Sequence, residues 1–412
     1  MKELFNEYVQ SMTTYIMFQI KANAAKLKPE LDKKGRSPIF LSMGAPTANP
    51  PEYMLTKLHE ALKEDGIHTY SSPKGEKYFI DAVITKMKNR FNVELEPSEI
   101  CSLIGSKEGL AHLIRILIRP KTEESEKDVI FVPDPGYASY SQMIEISGGA
   151  SYPIPLTPEN NFMPNLDEVW DNYIKNGGKA DKVKALIINY PNNPLGATAT
   201  REYYQHTVDF CKKHKILLMS DAAYSDLYFD ESAKPFSILE FEGAKDVAVE
   251  FFSFSKPYAM TGCRVGWICG NKDAIDLFSI LKSTIDNGLY KPLQKAAAAV
   301  LNSKEGEEYT KKANLELKEK QDIFVKGIKE LGWPDFYIPK ATFYLWMPIP
   351  PRYSSDQEFT DDLLKTSGIV AVPGHAYGKY GEGFFRVSIV CSEEKIKECI
   401  SRMKMDGFYF SK

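Results

Sequence analysis

Short apolar runs rich in β-branched and aromatic residues recur through the middle of the chain. They lie at residues 128–133 (DVIFVP), 183–189 (VKALIIN), 216–221 (ILLMSD) and 249–254 (VEFFSF). Helical stretches separate most of them, among them residues 108–118 and Arg201–His214. Runs that are apolar at nearly every position predict strands buried on both faces, and such strands alternating with helices predict a parallel sheet covered on both sides. Beyond about residue 301 the pattern changes. A long charged helix is expected at 305–331, short strands near 342–347 and 384–390, and then a last helix. That reads as a smaller α+β unit. The polar segment before Pro38 reads as an N-terminal arm, and residues 39–51 (IFLSMGAPTANPP) as a short strand and a proline-rich turn linking the two units. The fold class expected is therefore α/β: a large domain at 48–300 with a mostly parallel sheet flanked by helices, and a smaller α+β domain at 301–412. Residues 1–47 supply the arm and part of the small domain.

Composition narrows the class of function. A chain of 412 residues fits about two domains. The net charge of -3 leaves no basic excess for a nucleic-acid surface. No run approaches the ~20 apolar residues of a membrane span, and the first residues, MKELFNEYVQ, show no signal-peptide core. The cysteines Cys101, Cys211, Cys263, Cys269, Cys391 and Cys399 form no CxxC, so reduced, buried thiols in a cytoplasmic protein are expected. The histidines, His59, His68, His112, His206, His214 and His375, lack zinc spacing, and no metal is expected.

Polar residues cluster just past the strand ends, where open parallel sheets place their ligand crevice. Asp221 ends ILLMSD, Asn193 follows LIINY, Ser253, Ser255 and Lys256 end FFSFSK, and Tyr137 follows IFVPDPG. A lysine in a closed site can lose its proton and form an imine with an aldehyde. A buried carboxylate can keep a ring nitrogen protonated and make that ring an electron sink. Tyr224 and Asn193 can bond a ring phenolate, and Tyr137 can stack on the ring. The turn GSKEG (105–109) follows a strand at 100–104 and opens a helix, a start that attracts phosphate. Ser253, Ser255 and Arg264 add hydroxyls and a fixed charge. GSKEG matches neither GxxxxGK[ST] nor GxGxxG, so the common nucleotide folds are not supported.

Seven motifs in this order resemble the fold-type I, class I/II aminotransferases over nearly the whole chain: HTYSSPKG (68–75), GSKEG, PDPGYASY (133–140), NYPNNPLG (189–196), SDAAYSDLYFD (220–230), SFSKPYAMTGCRVG (253–266) and FFRVS (384–388). Within that family, LIGSKEGLAHL, INYPNNPLGATA, STIDNGLY and ATFYLWMPIP are most similar to LL-diaminopimelate aminotransferases and their close relatives. The resemblance implies that the large domain binds pyridoxal 5'-phosphate, with Lys256 carrying it as a Schiff base. Asp221 would pair with the pyridine nitrogen, Tyr224 and Asn193 would face the ring oxygen, and Tyr137 would stack. Ser106, Lys107 through its backbone, Ser253, Ser255 and Arg264 would hold the phosphate. Tyr70 would reach the phosphate of a second subunit, which implies a homodimer with active sites at the subunit interface. Arg386 would clamp the substrate carboxylate, with Gly44 and Asn193 completing that pocket. The implied reaction is a ping-pong exchange between an amino acid and a 2-oxo acid, commonly 2-oxoglutarate, with LL-diaminopimelate the favoured donor.

Blander readings stand beside these. A lone lysine is most often solvated, Asp221 could cap a helix over AAYSDLY, Tyr137 could be plain core, and Arg386 could be a structural ion pair. Tyr70 could be packing, Glu108 a first-turn dipole partner, and His375 a loop hydrogen bond. The helix after Lys304 reads as a solvated face. Three positions depart from the family's usual residues: Ala138 for proline, Leu195 for threonine and Cys263 for tryptophan. None removes a catalytic group, but the first two alter packing near the cofactor. Aspartate, alanine or aromatic donors, a lyase on the same fold and a non-enzymatic regulator remain as alternatives.

Overall fold

The computed structural model describes the chain except residues 2, 3, 7, 8, 11, 13–15, 122, 124, 125, 230 and 412. Part of the N-terminal arm and Asp230, the last residue of SDAAYSDLYFD, therefore lie outside the described residues. Strand β1 (Ile39–Phe40) comes first. The main sheet contains β2 (Ile100–Leu103), β3 (Val129–Asp134), β4 (Ala150–Pro155), β5 (Val183–Ile188), β6 (Leu217–Asp221), β7 (Ala248–Ser253) and β8 (Gly266–Gly270), in the order β2-β8-β7-β6-β5-β3-β4. Five of these, from β4 across to β7, run parallel, and β8 is antiparallel to both its neighbours.

Burial explains the apolar runs. Every residue of β2, β7 and β8 is buried. Successive side chains feed two cores: Phe131, Leu186, Leu218 and Phe252 pack on one side, and Ile130, Ile187, Met219 and Phe251 on the other. The strand β8 was not legible, because GWICG begins and ends on glycine. Both glycines are required there: a Cβ on Gly266 would lie 2.4 Å from Phe252 O, and one on Gly270 2.4 Å from Ala248 O. The expected strand and helix ends are displaced by one or two residues, as with Ser106–Leu117 for 108–118.

A separate core surrounds β9 (Tyr344–Pro348), β10 (Ile369–Val370), β11 (Val372–Pro373) and β12 (Phe384–Ser388). It joins Phe324, Trp333, Phe359 and Phe385 to Ile39 and Leu41 from the other end of the chain. Strand β1 pairs in parallel with β10, Ile39 opposite Ile369. The arm helix Ile16–Lys33 presses Ala24 and Leu31 on Leu364 and Val370.

Three bland expectations change. The helix Lys304–Glu330 is not simply solvated: Asn314, Gln321 and Ile328, spaced seven apart, share a buried face. Its two buried amides donate to Asp226 O and Pro339 O. Residues after Asp221 form turns, so Asp221 caps no helix. All six cysteines are free, but Cys263 and Cys391 are only partly buried. Among the described residues no helix is long and apolar enough to cross a membrane.

Gly109 lets the helix Ser106–Leu117 lie against the sheet, since a Cβ there would come within 2.7 Å of Leu103 and 3.0 Å of Phe251. Gly109→Val should destabilise the protein by about 1–3 kcal/mol through overpacking. A lowered urea midpoint with an unchanged slope is the expected result.

Candidate active site

The parallel strands deliver their carboxyl ends to one rim. Tyr137 follows β3, Asn189 and Asn193 follow β5, Asp221 ends β6 and Ser253 ends β7. Gly266, the first residue of β8, is in register with both Leu103 and Ser253, so an antiparallel strand brings Arg264 to the same edge. A cavity of about 350 Å³ opens there. Lys256, Asp221, Tyr224, Asn193 and Tyr137 line it, as do Ser106, Lys107, Ser253, Ser255 and Arg264. Gly44 and Arg386 close the far side. Tyr70 alone of the expected residues does not line it; its side chain is 83% exposed.

Lys256 is mostly buried, and its ammonium donates to Gly44 O at 2.5 Å. Burial, then the cations of Arg386 and Arg264, pull its pKa down to about 8, against the pull of Asp221. The bland reading of a solvated lysine is thus excluded. Asp221 is buried; its Oδ2 accepts the Tyr140 hydroxyl at 2.7 Å. Its Oδ1 is buried with no hydrogen-bond partner among the described residues. Desolvation raises its pKa, with the Tyr140 bond and Lys256 opposing. A cationic ring nitrogen at Oδ1 would supply the missing partner and hold the carboxylate ionised.

A phosphate cradle lies beside it. Gly105, at φ +77°, opens the helix Ser106–Leu117. The Arg264 guanidinium lies on this turn: a Cβ on Gly105 would sit 2.3 Å from Nη2. Arg264 donates to Ser255 Oγ and Thr261 O at 3.3 and 3.0 Å. The side chain of Lys107 also reaches in, 5.7 Å from the Tyr137 ring centre, beyond the backbone role expected of it. A helix start, a guanidinium and serine hydroxyls form a fitting set for a phosphate dianion. Together with the open oxygen of Asp221 and the mostly buried Lys256, the donor set fits pyridoxal 5'-phosphate.

Arg386 is buried and donates to Asn193 Oδ1 at 2.9 Å and Ser42 O at 2.7 Å. Its guanidinium stacks over Tyr344 at 4.4 Å and Tyr377 at 5.0 Å. Tyr224 shares a 3.0 Å hydrogen bond with the Tyr344 hydroxyl. Glu108 and His375 fall to their structural readings: Glu108 accepts the Ile104 N–H, and His375 bonds Asp356.

Sequence reasoning missed Tyr140, Tyr344, Tyr377 and Asn189. Tyr140 stands three residues after Tyr137 and meets it edge-on, a spacing that could have marked it. Tyr344 was hidden in the apolar run ATFYLWMPIP, although it stands opposite Ser388 on the strand beside Arg386.

The depressed pKa of Lys256 has a direct readout. In cofactor-free protein, reductive alkylation of Lys256 by a small aldehyde, read by peptide mass spectrometry, should rise with pH and reach half its maximum near pH 8. A midpoint above pH 10 would show that burial does not favour the neutral amine. Tyr140→Phe, which strips a partner from Asp221, should lower kcat about 10-fold while leaving the KM for the amino donor nearly unchanged.

Comparison with known proteins gives the family of the chain. Residues 36–403 match the family model of aminotransferase class I and II. An LL-diaminopimelate aminotransferase from Halothermothrix orenii is 38% identical over 403 residues, 98% of each chain. LL-diaminopimelate aminotransferase 2 of Trichormus variabilis is 38% identical, covering 99% of this chain and all of its own. Among solved structures, substrate-bound BacF from Bacillus subtilis superposes with a TM-score of 0.90 at 31% identity, over 99% of both chains. An aspartate aminotransferase from Thermus thermophilus, at 24% identity and a TM-score of 0.87 over 98% of this chain and 99% of its own, shares the fold. The chain belongs to the class I and II aminotransferases and is a pyridoxal-phosphate-dependent enzyme of amino-group transfer.

Proposed function

We propose that this enzyme takes its amino group from LL-diaminopimelate and passes it to 2-oxoglutarate, working as a cytoplasmic homodimer. The observation that carries the substrate choice is the arginine count of the cavity. It contains two, Arg264 and Arg386, and Arg264 is committed to the phosphate cradle. One arginine of this subunit therefore serves the α-carboxylate of donor and acceptor in turn, and the far end of each is left to Lys107, the tyrosine hydroxyls and the second subunit. A diamino diacid carries an ammonium and a carboxylate together at its far end. Lys107 can meet that carboxylate, and the tyrosine hydroxyls of the cavity can accept from that ammonium. The names of the similar enzymes point the same way.

Each residue has a definable task. When bound, the cofactor supplies an electron sink that acidifies the substrate Cα–H. Lys256 Nζ holds the cofactor's aldehyde carbon until the substrate amine replaces it. Once displaced from the cofactor, Lys256 Nζ would be free to take the substrate Cα proton and return it, as a base and then an acid matched to near-neutral pH. Asp221 Oδ1 would meet the ring nitrogen, and Tyr224 and Asn193 would hold the ring oxygen. Tyr137 covers one ring face. Ser106, the Lys107 backbone, Ser253, Ser255 and Arg264 anchor the phosphate. Arg386 exchanges its bonds to Ser42 O and Asn193 for the substrate carboxylate, beside Gly44. The exposed Tyr70 reaches the phosphate of the second subunit. The division into an arm at 1–47, a large domain at 48–300 and a small domain at 301–412 belongs to the same proposal.

With 2-oxoglutarate as acceptor, a panel of LL-diaminopimelate, aspartate, alanine, glutamate and aromatic donors should give the highest kcat/KM for LL-diaminopimelate. Activity on aromatic donors alone would overturn that choice, and release of ammonia without keto-acid exchange would overturn transamination. Arg386→Ala should lower kcat/KM for the preferred donor by about 30- to 5,000-fold, the effect of removing one partner of a buried charge pair. Sedimentation should return twice the 46.6 kDa of one chain; a monomer at micromolar concentration would remove the second-subunit role of Tyr70.

A further inference from the structure

Lys282, on the helix Lys272–Ile285, has no exposed side-chain surface, and it lies outside the cavity. Its ammonium is 3.0 Å from Glu108 Oε1 and 3.0 Å from Asp286. His112 Nε2 stands 3.3 Å from the same Glu108 oxygen. The other Glu108 oxygen accepts the Ile104 N–H at 2.9 Å, immediately before the Gly105 turn of the phosphate cradle. Burial raises the Glu108 pKa, but His112, Lys282 and the Ile104 N–H outweigh it and hold the carboxylate ionised.

The second carboxylate leads elsewhere. Asp286 Oδ1 accepts the Gly288 N–H at 2.7 Å. Gly288 rests directly on the chain at Ser72, where a Cβ would meet Ser72 O at 2.4 Å. Gln294 pins the same segment, donating to Ser71 Oγ at 2.8 Å and accepting the Glu76 N–H at 2.7 Å. A continuous path of bonds and close backbone contacts thus joins the 104–106 turn to the segment that carries Tyr70.

We propose that Lys282 is a positioning residue for the cofactor phosphate on two fronts. Through Glu108 it fixes the cradle of its own subunit, and through Asp286 and Gly288 it fixes the Tyr70 segment offered to the second one. The proposal rests on the homodimeric aminotransferase reading above. An apolar side chain would fill the same space without the desolvation cost of an ammonium. What the ammonium adds is direction, because its donors orient two carboxylates, and each carboxylate in turn orients a backbone N–H. Glu108, His112 and Asp286 offer ligand atoms within 4.8 Å of one another, a spacing that could hold a metal ion. The lysine already places a positive charge against two of them.

The test compares pyridoxal 5'-phosphate with pyridoxal, which lacks the phosphate, by titrating cofactor-free protein and reading imine absorbance. Lys282→Met should raise the dissociation constant for pyridoxal 5'-phosphate at least 10-fold and change that for pyridoxal less than twofold. Equal losses for both ligands, or no loss for either, would overturn the role. Should Lys282→Met fail to fold, Glu108→Gln carries the same comparison, since it keeps an acceptor for Ile104 while losing the charge that Lys282 holds. Tyr70→Phe, combined with Lys282→Met, should cost less affinity than Tyr70→Phe in the wild type. Additive losses would overturn the second front. A wild-type protein that forms no imine or transfers no amino group would fail the functional reading instead, and that failure is visible in the control.

Discussion

Charge imbalance in the cavity is the constraint on which the rest of this structure depends. Lys107, Lys256, Arg264 and Arg386 face one carboxylate, Asp221. Burying like charges together is costly, and the protein disperses each onto backbone oxygens: Gly44 O for Lys256, Thr261 O for Arg264, Ser42 O for Arg386. The surplus of positive charge is what a phosphate and an α-carboxylate together neutralise. The depressed pKa of Lys256 is the same imbalance acting on its most easily deprotonated member.

Holding these charges at fixed separation requires two cores. The main sheet positions Lys256, Asp221 and Arg264; β12, in the smaller sheet, positions Arg386. Contacts across the junction make them one site. Arg386 bonds Asn193, which follows β5, and the Tyr224 and Tyr344 hydroxyls meet from opposite sides. Any relative shift of the two sheets would therefore change the distance between the amine of Lys256 and the guanidinium of Arg386, and geometric precision of that kind sets reaction rate.

Much of this was legible because polar residues at the ends of apolar runs are conspicuous. Asp221 in ILLMSD and Lys256 in FFSFSK stand out against their neighbours, and the structure brings both to the expected rim. Phenols were not legible in the same way. Tyr140 and Tyr344 are buried and read as core, and only their partners, Asp221 and Tyr224, give their hydroxyls a role. Lys282 looks solvated in the sequence, since a helix pattern does not say which lysine will meet two carboxylates from distant turns. The glycines of β8 concealed a strand for a related reason: the sequence records a missing side chain, and the close backbone that requires its absence belongs to the tertiary structure.

The pairing of β1 with β10 sets an order on assembly. Ile39 and Leu41 belong to a core built mostly from Phe324 to Phe408, far along the chain, with Ala223, Tyr224 and Leu227 from its middle. On the ribosome, those N-terminal residues emerge early and stay without their apolar partners while nearly the whole main sheet is made. That core closes only after β12 and the residues up to Phe408 have been made, and Arg386 reaches its place with it. The chain's own connectivity delays the complete site until both cores have been made.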